Sequence, residues 1–523
     1  MTEPTFFPQE LYWFLILIAL SIYVSELLSS WKSTGKYKQH PFVQSPKALT
    51  PLFITNALYA RNAADLILRG YQKFKSHSFQ LLRSNGNIVI LPLSVLDELS
   101  TLSTAIATPH GALEHDLLGR YTGLDVILEN RLHHTIVQRK LTPQLRVLTP
   151  VLHRKLAASF EETFPNTDEW AEFQPYQAFC RVAARLSAEA IVGPSFSNNE
   201  TWLNLSVDYT ESLFRTIVIL RLFPGWTHSL ISKFIPAYWR CQGYIKTAKS
   251  LLGPKIQELI NKNDEGSWTP SYEDEDLNVL TWLSVLAKGK DRNPGSIAHV
   301  QVLLGLAAVH TTVLRMVNVL YDITAAGPTL LKELRDEINA VAGENGWEDI
   351  PYDQLHKLDS VLRESQRMSP PTVLGMKRIF KQSHTFQNGL HISEGTYVCM
   401  PTYAIENDPE HTPNPEVFDG LRSYRQFMAQ DTQDQKSAEK FGFSDTAPTV
   451  LNFGYGKTAC PGRFFASLTI KMLFVKLLTQ YDFKFLPGAE RPQNLMAHEF
   501  LFTWPWTRML IKRNHEGRYP SEV

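Results

Sequence analysis

The chain has 523 residues, 52 Lys+Arg against 52 Asp+Glu, and 44% hydrophobic residues, enough apolar material for a large core, which excludes a disordered or collagen-like protein. With no net charge, nothing in the overall balance favours a nucleic-acid partner, and any electrostatic partner must be met by a local patch. The four cysteines, Cys180, Cys241, Cys399 and Cys460, are too widely spaced for a zinc motif or a dense disulfide framework.

The first element is a membrane-spanning candidate. Residues 11–25, LYWFLILIALSIYVS, are uncharged, and apart from Glu26 the run continues to Trp31, about the twenty residues that cross a bilayer. Glu3 and Glu10 precede it, and Lys32, Lys36 and Lys38 follow, so the positive-inside rule puts the rest of the chain in the cytosol. A cleaved signal peptide has a basic leading region and a small-residue cleavage site, and this segment has neither. The reading is an N-terminal anchor over residues 1–32, its helix at 11–31, followed by one large domain over 33–523, since no linker, repeat or low-complexity tract interrupts it.

Within that domain, Asn87-Ile88-Val89-Ile90-Leu91-Pro92 reads as strand, bounded by Ser84-Asn85-Gly86 and Pro92, and predicts a small hairpin. Later segments have helical period. The longest predicted helix takes Ser296 as its N-cap, after Pro294-Gly295, and stops at Gly327-Pro328. At about 1.5 Å per residue it is on the order of 45 Å long, and being apolar on most faces it must run through the middle of the domain. Further helices are expected over 329–342, 353–368 and 462–480, so the fold class is mainly α with small β-sheets.

Cys460 lies in the string Asn452-Phe453-Gly454-Tyr455-Gly456-Lys457-Thr458-Ala459-Cys460-Pro461-Gly462-Arg463, which opens the last of these helices with Pro461 at the first helical position. A thiol at a helix N-terminus meets free backbone N–H groups and the positive end of the helix dipole; both favour the thiolate, which is a metal ligand. Gly454, Gly456 and Gly462 leave backbone without side chains, as a broad flat cofactor would require, and Phe453 can pack on it. A buried structural cysteine beside a Gly-rich turn is the competing reading.

The string Phe453-x-x-Gly456-x-x-x-Cys460-x-Gly462 resembles the haem-binding loop of the cytochrome P-450 monooxygenases, which implies haem b with its iron axially ligated by the Cys460 thiolate. Glu364-Ser365-Gln366-Arg367 is similar to the family's Glu-x-x-Arg pair, and Pro415 to Arg422 resembles the segment whose arginine joins that pair in a buried network of Glu364, Arg367 and Arg422. On the long helix, Ala307-Ala308-Val309-His310-Thr311-Thr312 resembles the oxygen-binding motif, which makes Thr311 the proton-relaying threonine, with Thr312 beside it; a hydroxyl both accepts and donates a proton. A threonine bonding its own helix backbone is the alternative.

Two positions depart from the family pattern. His310 replaces its acidic residue, so that the relay runs through imidazole or His310 holds a water or substrate, and Ala308 replaces a Gly; this version resembles a group of fungal enzymes of specialised metabolism. Thr458 replaces the basic residue that contacts a haem propionate, with Lys457 or Arg378 as substitutes. His134 and Arg139 fall where the family has another propionate-binding helix.

The chain has no flavin, iron–sulfur or Gly-x-Gly-x-x-Gly pattern. The resemblance therefore implies electrons from a separate NADPH-cytochrome P-450 reductase of the endoplasmic reticulum membrane, with cytochrome b5 optional and Arg131, Arg139, Lys140, Lys457 and Arg463 as a basic dock. An anchor in the lipid bilayer favours a hydrophobic small-molecule substrate, terpenoid, alkaloid or polyketide by the fungal resemblance, contacted from loops around 110–125, 200–225, 372–377 and 498–504. Two alternatives keep the haem: a thiolate isomerase or dehydratase needing no reductase, against which Thr311 and Thr312 argue, and a non-catalytic haem-binding protein. Because Asn199-Glu200-Thr201 and Asn204-Leu205-Ser206 are cytosolic on this reading, endoglycosidase treatment of the chain made in yeast is expected to leave its electrophoretic mobility unchanged. A shift would reverse the topology.

Overall fold

A computed structural model describes Val24 and residues 40–43, 52–83, 86–129, 131–271, 275–429 and 441–515; the anchor expected over 11–31 lies outside these apart from Val24. The longest helix, α8 (Pro294–Ala326), is capped by Asn293, whose Oδ1 accepts from the N–H groups of Gly295 and Ser296 at 2.9 and 3.3 Å. The cap is thus three residues earlier than expected, because Pro294 takes the first helical position, where its missing N–H costs nothing. Gly327, at φ 86, ends the helix.

Helix α8 is long and apolar enough to cross a bilayer, yet most of it is buried in protein. Packed against it are α5 (Pro175–Val192), α6 (Glu200–Leu220), α7 (Pro236–Asp264), α10 (His356–Met368) and α11 (Arg463–Gln480). Helices α1 (Leu52–Lys73), α2 (Pro109–Asp116), α3 (Leu132–Ile136), α4 (Leu145–Thr163) and α9 (Pro328–Asn345) complete the frame used below. The expected hairpin is present as β1 (Phe79–Leu81) and β2 (Ile88–Ile90), with Phe79 opposite Ile90. It extends into a five-stranded sheet through β5 (Tyr397–Met400), parallel to β2, then β4 (Gly375–Phe380) and β3 (Ala107–Thr108). The register of β4 shifts between Gly375 and Arg378, where Met376 takes φ 50. This bulge re-aims the strand.

Two buried ion networks lock the layers together. Glu364 accepts from Arg367 at 2.7 and 3.0 Å, from Arg422 Nε at 3.2 Å and from the Asp419 N–H at 3.1 Å. The i, i+3 pair is therefore no solvated helix face but an interior anchor for the 415–422 segment. The second network draws one residue from each of the four stretches expected to line the substrate: Asp116, Arg221, Lys377 and Glu499. Arg83 Nη1 donates to Asp116 at 3.2 Å and to Glu499 at 2.5 Å; Arg221 donates to Glu499 at 3.1 Å and to Asp116 at 3.3 Å, and Lys377 Nζ to Asp116 at 2.5 Å. Phe214 packs edge-on against Phe500 and Phe502 beside it.

Burial alone would raise the Asp116 carboxyl, but Lys377, Arg83 and Arg221 hold it well below the usual carboxylate range, and Arg221 and Arg83 do the same for Glu499. Depressed carboxylates stabilise the fold above their unfolded values, about pH 4, and lose that contribution as pH falls through the lower folded values. Glu499→Ala strands two buried guanidinium groups and is expected to destabilise by about 3–5 kcal/mol at pH 7. Denaturant titration checks this, and the gap to wild type should narrow below about pH 4.

Candidate active site

Cys460 is the exposed cysteine of the four; the other three are buried. Its exposure is to an internal cavity of about 530 Å³. Helix α11 begins at Arg463 with Gly462 as its N-cap, so Pro461 stands before the helix rather than at its first position. The thiol nevertheless meets the expected donors. Burial pushes it up, while the N–H of Gly462, the Arg463 guanidinium and the Arg463 N–H draw it back down.

The loop that presents Cys460 is closed by its own backbone, the Cys460 N–H donating to Phe453 O at 2.7 Å. Gly454 and Gly456 stand at φ 76 and 62, and a Cβ on Gly456 would meet Ser100 Oγ at 3.0 Å, so the turn admits only glycine there without strain. Gly462 differs. Its φ is ordinary, and a Cβ on it would meet only Cys460 Sγ, at 4.0 Å, in the open space beside the thiol. The Phe453 ring, edge-on to Phe443 at 5.2 Å, forms part of the wall.

Across the cavity from this loop, α8 contributes Leu303, Leu304, Ala307, Ala308, Thr311 and Thr312. Thr311 Oγ1 donates to Ala307 O at 2.7 Å, leaving its lone pairs directed away from the helix. His310, expected at the site, is absent from the cavity wall: at about 100° from Thr311 around the helix its ring turns towards α5 and α6, with Nε2 2.9 Å from Val207 O and Nδ1 3.1 Å from Tyr176 Oη.

Among the described residues no carboxylate lines the cavity, whereas Arg131, Lys457 and three histidines, His110, His133 and His134, do. Burial lowers all three histidines, His133 to about 4, so they are neutral at pH 7. Behind the wall, the bulged strand β4 aims Arg378 at the loop: its Nη2 donates to Thr458 Oγ1 at 2.7 Å and its Nη1 to Lys377 O at 2.8 Å. Arg378 is 4% exposed and no carboxylate pairs with it among the described residues; burial lowers it to about 10. An unpaired buried cation is costly, and an anion bound at this side of the loop would answer it.

Arg139, expected beside His134, is exposed and lies off the cavity wall. Val137–Leu141 forms a π turn, and Arg139 within it faces solvent. Arg131 reaches the cavity instead, its Nη2 donating to Thr104 at 2.6 Å. Its place in the basic run 131–140 signals a charged face, but not which member turns inward. The stretches 200–225, 372–377 and 498–504 contribute nothing to the cavity wall; only 110–125 does, through His110 and Leu113.

A slot with an apolar body, a cationic rim, a thiol at its floor and no carboxylates fits a flat apolar metal macrocycle bearing two carboxylates. The comparisons agree. The Cytochrome P450 family profile matches residues 109–511. Cytochrome P450 monooxygenase AN1598 of Emericella nidulans is 33% identical over 97% of this chain and 93% of its own length. Ent-kaurene oxidase P450-4 of Gibberella fujikuroi is 32% identical over 97% and 98%, and Cytochrome P450 monooxygenase paxP of Penicillium paxilli 32% over 98% and 97%. The chain belongs to the cytochrome P450 family and is a haem-thiolate monooxygenase fed by a reductase. Gly456→Ala, which forces a side chain onto φ 62 and against Ser100, is expected to lower the haem bound per chain at least severalfold, measured by pyridine haemochrome.

Proposed function

We propose that this protein is a membrane-anchored monooxygenase that oxidises a hydrophobic small molecule, a fungal secondary metabolite of terpenoid type, with Cys460 as the iron ligand. The observation that supports it most is Cys460 open to a carboxylate-free cavity whose opposite wall holds Thr311. Cys460 Sγ would hold the haem iron, Phe453 and Gly462 its faces, and Arg378 with Thr458, Arg131, His134 and Lys457 its propionates. When bound, haem supplies dioxygen activation and transfer of one oxygen atom to the substrate.

The chain's own residues do the rest. Thr311 Oγ1 donates to Ala307 O at rest; its free lone pairs accept a proton from water, and rotation about the Cα–Cβ bond releases the hydroxyl proton into the cavity. Thr312, buried beside it, adds to the same stretch of cavity wall. Leu303, Leu304, Ala307 and Ala308 give an apolar ceiling that orients a hydrocarbon by shape and excludes water. Electrons enter from the other side. Thr142 Oγ1 donates to Pro461 O at 3.2 Å, which brings the exposed Arg139 and Lys140 next to the cysteine loop as a dock for an acidic reductase.

The anchor is the segment 11–31, with the domain at the cytosolic face of the endoplasmic reticulum. Membrane residence suits a substrate that partitions into lipid, and a relative named for ent-kaurene oxidation supports a terpenoid class. The test is the spectrum of the dithionite-reduced, carbon-monoxide-bound protein in microsomes, alongside Cys460→Ala. A strongly red-shifted Soret band in wild type that vanishes in the variant is expected, followed by NADPH- and reductase-dependent turnover of ent-kaurene or a related hydrocarbon. A folded wild-type protein without that band would overturn the reading.

A further inference from the structure

His310 sits next to Thr311 and replaces an acid, yet its hydrogen bonds form a closed chain. Val207 O can only accept, so the ring proton is on Nε2; the neutral ring's Nδ1 then accepts from Tyr176 Oη. Tyr176 in turn bonds the side chain of Cys180, one turn along α5. Neither end of this chain exchanges protons: one is a helix carbonyl, and the other a buried thiol pushed up to about 12. Burial also lowers His310 itself, with Val207 O and the more distant Glu211 only partly opposing it. The ring is neutral, saturated and off the cavity wall.

The partners come from three helices. Tyr176 belongs to α5, Val207 to α6 and His310 to α8. A half-buried ring hydrogen-bonded through both nitrogens resists rotation of the helix that bears it, because turning α8 would leave a partly buried donor and a partly buried acceptor unpaired. Since successive residues stand about 100° apart, holding His310 against α5 and α6 holds Thr311 and Ala307 towards the cavity. We propose that His310 is a positioning residue that, with Tyr176, ties α5, α6 and α8 into the register that presents Thr311, and that it passes no protons. The tie rests on the monooxygenase reading only in what Thr311 is presented for.

The test uses the full-length protein with His310→Ala, His310→Gln, Tyr176→Phe and the Tyr176→Phe, His310→Ala double variant. A glutamine amide reaches about as far as Nε2 and restores a donor to Val207 O but carries no proton to anything. In denaturant unfolding, which needs no haem, the two single substitutions are expected to be non-additive by about fivefold in the unfolding equilibrium. In the haem-loaded protein, affinity for 4-phenylimidazole, whose ring must fit between iron and α8, is expected to fall on the order of tenfold in His310→Ala. It should return to near the wild-type value in His310→Gln. Additive unfolding effects, or a glutamine variant as impaired as alanine, would overturn the proposal. A wild-type protein with no thiolate-haem spectrum would instead refute the monooxygenase reading, and the unfolding cycle would still decide the tie.

Discussion

A 33-residue helix that is apolar on most faces leaves a water-exposed domain one arrangement, which is to enclose it. Helices α5, α6, α7, α10 and α11 do so from different sides, and each inherits its position from that contact. The cysteine loop precedes α11, so packing α11 on α8 sets Cys460 opposite the middle of the long helix. The cavity is the space that this packing leaves between Cys460 and Thr311. Two polar residues on α8 are tied to a residue beyond it: Asn318 and Asp322 both accept from Arg491, at 3.1 and 2.5 Å.

The interior also distinguishes two kinds of buried arginine. Arg83 and Arg221 are fully buried and share Asp116 and Glu499, so their charges are answered within the chain. Arg378 is equally enclosed, but it finds only a threonine hydroxyl and a carbonyl. A guanidinium pays desolvation in both places. Arg378 lies beside the loop that lines the cysteine cavity, where a negative group from outside the chain would offset that cost. Thr458 is best understood in that light. It stands where a base was expected and instead accepts from Arg378, so the charge is supplied by a strand far away in sequence and the loop residue orients it.

Much was legible in one dimension. The hairpin near Ile88, the helices ending at Met368 and Gln480, the cysteine string and the Glu-x-x-Arg pair are local patterns whose meaning depends on neighbours within a turn or two. The misreadings have local physical causes of another kind. Ser296 resembles an N-cap as much as Asn293 does, and Pro294 decides between them by filling the first helical position. Arg139 rests on resemblance alone, and a basic run over 131–140 does not tell which of its members turns inward. His310 stands at the acidic position of the family motif, but its ring is taken up by Val207 and Tyr176 instead of the cavity. The stretches 200–225, 372–377 and 498–504 do converge, but on the Arg83 network rather than on the cavity wall.

The sequence by itself determined the chemistry: a thiol among glycines, a hydroxyl on a long apolar helix, and the charged pair that anchors the loop between them, because residue type and short spacing suffice for each. Only the tertiary structure decided which basic groups face the cavity and what His310 does. Those answers depend on side chains from elements far apart in sequence meeting at distances of a few ångströms: Arg378 with Thr458, and Tyr176 and Val207 with His310. Burial there turns a surplus charge or an unpaired ring nitrogen into a cost of whole kilocalories, and that cost, absent from any single segment, selects the arrangement.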